Sequence, residues 1–371
     1  MPDTNITAAP FPVGCTAFRG PLLHFLKEPG LNAPDPSAHE YYADGLLVVA
    51  EGRVLAFDAA SELLPRLPVE TEVEQWPDSL IIPGLIDTHV HMPQLAVMAS
   101  YGTQLLEWLE TYTFPTEARF ADADWSADQS QLFLDLLLAH GTTSALVFST
   151  SHKVAAEALF SAAERYDMAI TSGKVMMDCH APDGVRDDTE ASYHESRELI
   201  ERWHGKGRQR YAVTPRFAAT STVQQLTYAG QLVAEYPDVL MQTHWAENHA
   251  EIAWIKELFP ERSSYLDVYD HFGLLGERSV LAHGIHIDDG DRARLAETGT
   301  RIAFCPTSNT FLGSGLFDLA SARAAKVDVG LATDVGGGTS LSMLATMAEA
   351  YKVCQLRGQS LNPFQAFYMA T

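Results

Sequence analysis

The sequence predicts an α/β fold: a closed (β/α)8 TIM-like barrel with a small β-domain formed by the N-terminal segment. Three observations lead there. From Leu80 onward, apolar strand-like runs alternate with helix-patterned segments, the runs starting at Leu80, Thr142, Ala169, Tyr211, Val239, Ser279, Arg301 and Val329. Such alternation gives parallel strands joined by helices. Strand after strand then ends in a reactive polar residue, and in such barrels the C-terminal strand ends converge on one face. The runner-up, a doubly wound open sheet, is weakened because no phosphate-cradling Gly-x-Gly-x-x-Gly follows the first strand. The expected division is 1–80 for the small β-domain segment and 81–371 for the barrel.

In chain order, the first eighty residues read as short β-prone pieces separated by turns. Ala17-Phe18-Arg19-Gly20 is one piece. Gly45 to Phe57 is a hairpin signal with Glu51-Gly52 at its turn. Glu28 to Ser37, rich in Pro, Gly and Asn, reads as a loop. Among the barrel helices, Asp288 to Gly299 carries its own punctuation, with Asp288 as N-cap and Gly299 as C-terminal stop. The chain has 371 residues and 46% apolar content, enough to bury one large domain or a large domain plus a small one. No apolar run reaches the length of about 18 residues that spans a bilayer. Met1 to Asn5 lacks the basic start of a signal peptide. Cys15, Cys179, Cys305 and Cys354 are widely spaced, with no CxxC, which fits unpaired thiols in a reducing cytoplasm. A formal net charge of −23 argues against nucleic-acid or anionic-membrane partners, whose phosphates would be repelled.

The chemistry is organised around Ile81 to Gln94, an apolar run that ends in His89-Val90-His91. In a strand, side chains alternate with period two, so His89 and His91 share a face and can hold one metal. His244 at the fifth strand end and Asp334 at the eighth complete three imidazoles and a carboxylate. That set suits one zinc or iron ion with a position left for water. The competing reading is four unrelated loop residues. Glu247, three residues after His244, is either a helix-start carboxylate or a proton carrier beside the metal's water. His283, at the sixth strand end, is either a core histidine or a partner of that water. Arg216, in Thr214-Pro215-Arg216-Phe217, is either a surface ion-pair residue or a planar donor aimed into the pocket. Gly336-Gly337-Gly338 is either a flexible turn or a place of close backbone approach to a ligand. His152, His194, His204, His249 and His286 receive no role, and Asp178 is left open.

These residues resemble the amidohydrolase superfamily, and within it the guanine-deaminating branch. The resemblance is carried by Pro83 to Gln94, Thr214 to Phe217, His244-Trp245-Ala246-Glu247-Asn248, Leu281 to Gly284 and Thr333 to Ser340, and it runs from about Ala17 to the last residue. It implies a (β/α)8 barrel with one Zn2+ per chain, Fe2+ being the alternative, on His89, His91, His244 and Asp334. It also implies hydrolytic deamination of guanine to xanthine and ammonia by a metal-activated hydroxide, with Glu247, Asp334 and His283 as catalytic residues. Gln94 and Arg216 would bind the purine's polar edge and Phe217 would cover a ring face. A homodimer is implied as well. The superfamily's lysine at the end of the fourth strand, found in its two-metal branches, is absent, and that strand ends in Arg216, consistent with one metal. The other deaminase architecture, with His-x-Glu and Pro-Cys-x-x-Cys, is absent. In the family the chain continues past the equivalent of Met369-Ala370-Thr371 to complete the small β-domain, so the apolar Leu47, Val49 and Leu55 are expected to lack partner strands. Two alternatives share the metal site: a deaminase or dechlorinase of another purine, pterin or triazine, and a catalytically inactive metal-binding scaffold.

Overall fold

The computed structural model describes residues 10–102 and 104–371. The Met1–Asn5 start lies outside the described residues. The chain divides into two compact units, one ending at Pro83 and the other spanning Gly84–Thr371.

In the first unit, β1 (Thr16–Phe25) pairs antiparallel with β2 (His39–Ala50) and parallel with β4 (Val73–Gln75), while β3 (Arg53–Ala59) lies outside β2. The β2–β3 turn places Glu51 at φ 49° and Gly52 at φ 71°. Two left-handed residues in a two-residue turn match the right-handed twist of the strands they join. Residues 28–35 form a loop, closed by a single 3-10 turn at Pro36–Ala38 where the Asp35 carboxylate accepts the Ser37 N–H at 2.8 Å. Strand alternation puts Leu46 and Val48 in the core with Ala17, Ala60 and Leu63, leaving Leu47 and Val49 half-buried and Leu55 exposed.

The first barrel strand is shorter than the sequence suggests. It starts at Leu85, not Leu80. Ile81 instead belongs with β1: its N–H donates to the Pro21 carbonyl at 2.8 Å and its carbonyl accepts the Leu23 N–H at 3.0 Å. Pro83 has no N–H to continue a ladder, so the apolar run is split at that point.

The second unit is a parallel barrel. Its strands β5 (Leu85–His91), β6 (Thr142–Phe148), β7 (Ala169–Gly173), β9 (Arg210–Pro215), β10 (Leu240–Trp245), β11 (Ser279–His283), β12 (Arg301–Phe304) and β13 (Val329–Leu331) lie side by side in that order. The two-residue β8 (Val175–Met176) sits beside β9. Every pairing is parallel. Backbone bonds just past β13 close the ring: His91 N–H donates to Val335 at 2.8 Å, and Asp334 N–H donates to His89 at 2.9 Å. The buried Asp87 carboxylate reinforces the seam, accepting the His89 N–H at 3.3 Å, the Thr333 N–H at 3.0 Å and the Thr333 hydroxyl. Burial pushes that carboxyl up to about 6 despite these bonds. Outside the strands, helices Ala123–Ala139 and Lys153–Tyr166 pack Phe133, Leu134, Leu137 and Leu159 against Val90, Val147 and Ile170. Helix Asp289–Thr298 has the predicted punctuation, with a capping box at Asp288 and a left-handed Gly299. Among the described residues no helix is long and apolar enough to cross a membrane.

Candidate active site

The strand ends bring His89, His91, His244 and Asp334 to one point. His91 Nε2 lies 3.2 Å from His89 Nε2 and 3.1 Å from His244 Nε2. Asp334 Oδ1 lies 3.2 Å from His89 Nε2 and 3.3 Å from His91 Nε2. Donors about 2.0–2.1 Å from a tetrahedral ion stand about 3.3 Å apart, so this spacing fits a small divalent cation. The chemistry of the donor set agrees. His244 Nδ1 donates to the Arg216 carbonyl at 2.7 Å, which fixes the tautomer and turns the Nε2 lone pair into the cluster. Burial lowers His91 to about 4, and it lowers His244 well below the imidazole range with help from the neighbouring histidines. Both are therefore neutral near pH 7, the form that ligates a metal. Burial alone would raise Asp334, but the charge on His89 and hydrogen bonds from His89 and His91 outweigh it and hold the carboxylate well below its usual range.

His283 belongs to the same cluster. Single ligand atoms of His89, His244, His283 and Asp334 all fall within 4.8 Å of one another. Asn309 holds His283, with 2.9 Å between its Oδ1 and His283 Nδ1. The buried Nε2 makes no hydrogen bond and lies 3.4 Å from Glu247 Oε2 and 3.9 Å from Asp334 Oδ2. His283 therefore faces both Glu247 and Asp334 at the edge of the donor cluster. Glu247 is buried, and Ser314 Oγ donates to its Oε1 at 3.0 Å. Burial first, and then the Asp334 charge, push its carboxyl up to about 8. The helix-start role that competed for Glu247 is filled by Glu251 instead. That carboxylate closes the capping box of helix His249–Leu258, accepting the Asn248 N–H at 3.2 Å and the Glu247 N–H at 3.0 Å. Three non-glycine residues here have left-handed backbone: Ala246 (φ 50°), His283 (φ 76°) and Asp334 (φ 49°). Such strain at three separate strand ends around one cluster is typical of functional sites.

A pocket opens on the cluster. His91, His244, Glu247, His283 and Asp334 line it together with Gln94, Arg216 and Phe217, and Leu105, Trp108, Leu109 and Leu312 form an apolar wall. Of the three glycines after Asp334, Gly337 also lines the pocket. Gly338 serves the fold, since a Cβ there would stand 1.8 Å from the Thr333 carbonyl oxygen. Asp178 is engaged structurally, accepting bonds from Thr189 and Thr222. Sequence reasoning missed four residues of this site: Glu117, bonded to Arg216 and Gln94; Phe148, packed on three imidazoles; and Asn309 and Ser314. Asn309 lies just past the end of β12, where the rule of polar residues at strand ends could have found it. The others carry no local signal.

A parallel barrel with imidazoles and a carboxylate gathered at its C-terminal strand ends defines a metal-dependent hydrolase, and the chain belongs to the Amidohydrolase family, which it matches over residues 80–371. Its similarity to individual proteins is narrower. It is 49% identical to the guanine deaminase of Escherichia coli (strain K12) over 335 residues, 90% of this chain and 76% of that protein. The solved structure of E. coli guanine deaminase superposes with a TM-score of 0.93 at 46% identity, covering 96% of this chain and 82% of that one. Guanine deaminase from C. acetobutylicum, solved with guanine in its active site, matches with a TM-score of 0.87 at 28% identity, over 96% of this chain and 85% of that one.

Proposed function

We propose that this chain hydrolyses guanine to xanthine and ammonia. The observation that carries the reading is a single pocket where the metal-type donors and Glu247 meet Gln94, Arg216 and Phe217, in a chain half identical to a guanine deaminase. One zinc ion per chain would be held by His89, His91, His244 and Asp334, with Fe2+ as the alternative that metal analysis separates. When bound, the ion supplies a water acidic enough to act near neutral pH, where free water, with a pKa near 15.7, does not. Asp334 is placed to take a proton from the attacking water as the water's oxygen bonds to C2 of guanine. Glu247, protonated near neutrality, gives its proton to N3. Asp334 then delivers that proton to the amino group, the C2–N bond breaks and ammonia leaves, and the new C2 hydroxyl returns its proton to Glu247, which leaves the carbonyl of xanthine and restores both carboxyl groups. His283, aimed by Asn309, orients the attacking water. Gln94 and Arg216 hold the purine's polar edge and Phe217 covers a ring face. The finer parts of the proposal are a cytoplasmic homodimer acting in purine catabolism, with 1–80 as the small β-domain segment and 81–371 as the catalytic barrel.

Substrate choice follows from donor chemistry. A guanidinium only donates hydrogen bonds. Guanine offers it O6 and N7, whereas adenine places an amino donor at C6 and cytosine is too small to fill the pocket. A site built on substrate hydrogen bonds rejects analogues by about 10⁴–10⁵. The test is kcat/KM for guanine, adenine, cytosine and a pterin on the wild type and on Arg216→Met. Guanine should lead, and the substitution should depress guanine turnover most while leaving the metal bound. A leading pterin, or guanine turnover indifferent to Arg216→Met, overturns the guanine assignment.

A further inference from the structure

Arg216 does not enter the pocket as an unpaired cation. The fully buried Glu117 receives Arg216 Nη1 on Oε2 at 2.7 Å and Gln94 Nε2 on Oε1 at 3.1 Å. Gln94 Oε1 in turn accepts the Gly336 N–H at 3.1 Å, so the orientation of its amide is set from both ends. The short helix Phe114–Glu117 that provides this carboxylate also sets the Phe114 ring 5.2 Å from the guanidinium carbon. One small element therefore fixes the position of both polar recognition residues and balances the charge of one of them.

We propose that Glu117 is a positioning and specificity-determining residue: it locks Arg216 and Gln94 into one unit and makes the recognition end electrically neutral, so that the pocket takes a neutral purine in preference to an anionic one. The inference rests on the guanine reading above. A buried guanidinium without its carboxylate attracts any anion that can reach it, because the interior screens charge weakly. The reaction makes this relevant. Replacing the C2 amino group by a carbonyl turns N3 into a ring N–H beside that carbonyl, and this makes the product more acidic than the substrate. An unbalanced Arg216 would favour the ionised product. Glu117 offsets that attraction while leaving the guanidinium's other N–H groups to bond a neutral carbonyl oxygen or ring nitrogen.

The test compares wild type, Glu117→Gln and Glu117→Asp, each as metal-loaded full chain. Guanine kinetics are combined with calorimetric binding of urate, an anionic purine at neutral pH, and hypoxanthine, a neutral one. Glu117→Gln should raise KM for guanine about tenfold with a smaller change in kcat. It should also tighten urate about tenfold relative to hypoxanthine. Glu117→Asp keeps the charge but shortens the reach, so it should raise KM without tightening urate. Urate and hypoxanthine moving together in Glu117→Gln, or an unchanged KM in both variants, overturns the proposal. If Glu117→Gln does not fold, Glu117→Asp decides: an unchanged KM or tighter urate overturns it. Wild type that releases no ammonia from guanine overturns the underlying reading instead, and the two binding measurements still judge Glu117.

Discussion

Phe148 is the most informative apolar side chain to remove. It is the last residue of β6, has no exposed surface, and its ring centre lies 5.0, 4.8 and 4.6 Å from those of His89, His91 and His244. Truncating a buried phenylalanine to alanine costs about 3–5 kcal/mol through lost transfer energy and the cavity left behind. Unfolding entropy scales at about 2.1 cal/mol/K per residue, so for a barrel unit of this length the loss corresponds to a melting shift of roughly 5–8 °C. Core loss alone does not separate a structural ring from one that supports the site. Phe160 provides the control: it is equally buried, but it packs against Trp203 and Tyr211 (ring centres 5.6 and 6.5 Å away), away from the cluster. Both Phe148→Ala and Phe160→Ala should lower the melting point similarly. Only Phe148→Ala should weaken the metal, by about 10–100-fold, the range seen when the support of a ligand shell is removed. Melting is followed by circular dichroism and metal affinity by competition with a chromogenic chelator. Equal metal affinity in the two variants would refute the reasoning and return Phe148 to ordinary core.

Glu247→Gln keeps shape and removes the titrating group, so turnover should fall by about 10²–10⁴ with metal content unchanged; unchanged turnover would leave Glu247 with only its Ser314 bond to explain its burial. His89→Ala and Asp334→Ala should each lose metal and activity together, as should treatment of the wild type with a strong chelator, and full activity in a stringently metal-free sample would remove the metal from the mechanism. Glu251 gives a pH signature in ion-free protein. Burial first, and then the Glu247 charge, raise its carboxyl from 4.5 to about 7 in the folded state. Its contribution to stability is therefore complete below about pH 4.5 and is lost as pH rises through about 7, amounting to about 3 kcal/mol. Glu251→Gln should flatten the fall in melting temperature between pH 5 and 8, and parallel profiles for the two proteins would contradict the assignment.

What was legible in the sequence followed from periodicity. His89 and His91 share a face because a strand alternates, and they precede the first strand's end by two residues and none. His244 is the penultimate residue of β10 and His283 the last of β11, and Asp334 follows three residues after the last strand. A parallel barrel turns those linear facts into one cluster without further information. Where the reading slipped, a local rule had been available: Pro83 forbids a continuous ladder, yet the run from Leu80 looked apolar enough to be one strand. Glu117 is a different kind of omission. It lies 99 residues before its partner Arg216, on a four-residue helix with no strand end to mark it. Only the pairing identifies it, and pairing across the barrel is not written in local composition. Phe148 hides for the opposite reason, since one more aromatic residue at the end of an apolar strand is what any core would contain.

The arrangement also explains why the site is built where first and last strands meet. His89 and Asp334 belong to the two strand ends that must find each other to close the ring, and the same Asp87 carboxylate bonds the backbone of His89 and of Thr333. Closure of the ring therefore also sets Asp334 beside His89, through the bond from the Asp334 N–H to the His89 carbonyl. The left-handed backbone at Asp334, on the seam itself, persists because its surroundings over-determine it. A bound cation draws the same donors together, so it should stabilise the seam that creates its own site, and its binding energy should appear in the stability of the whole barrel.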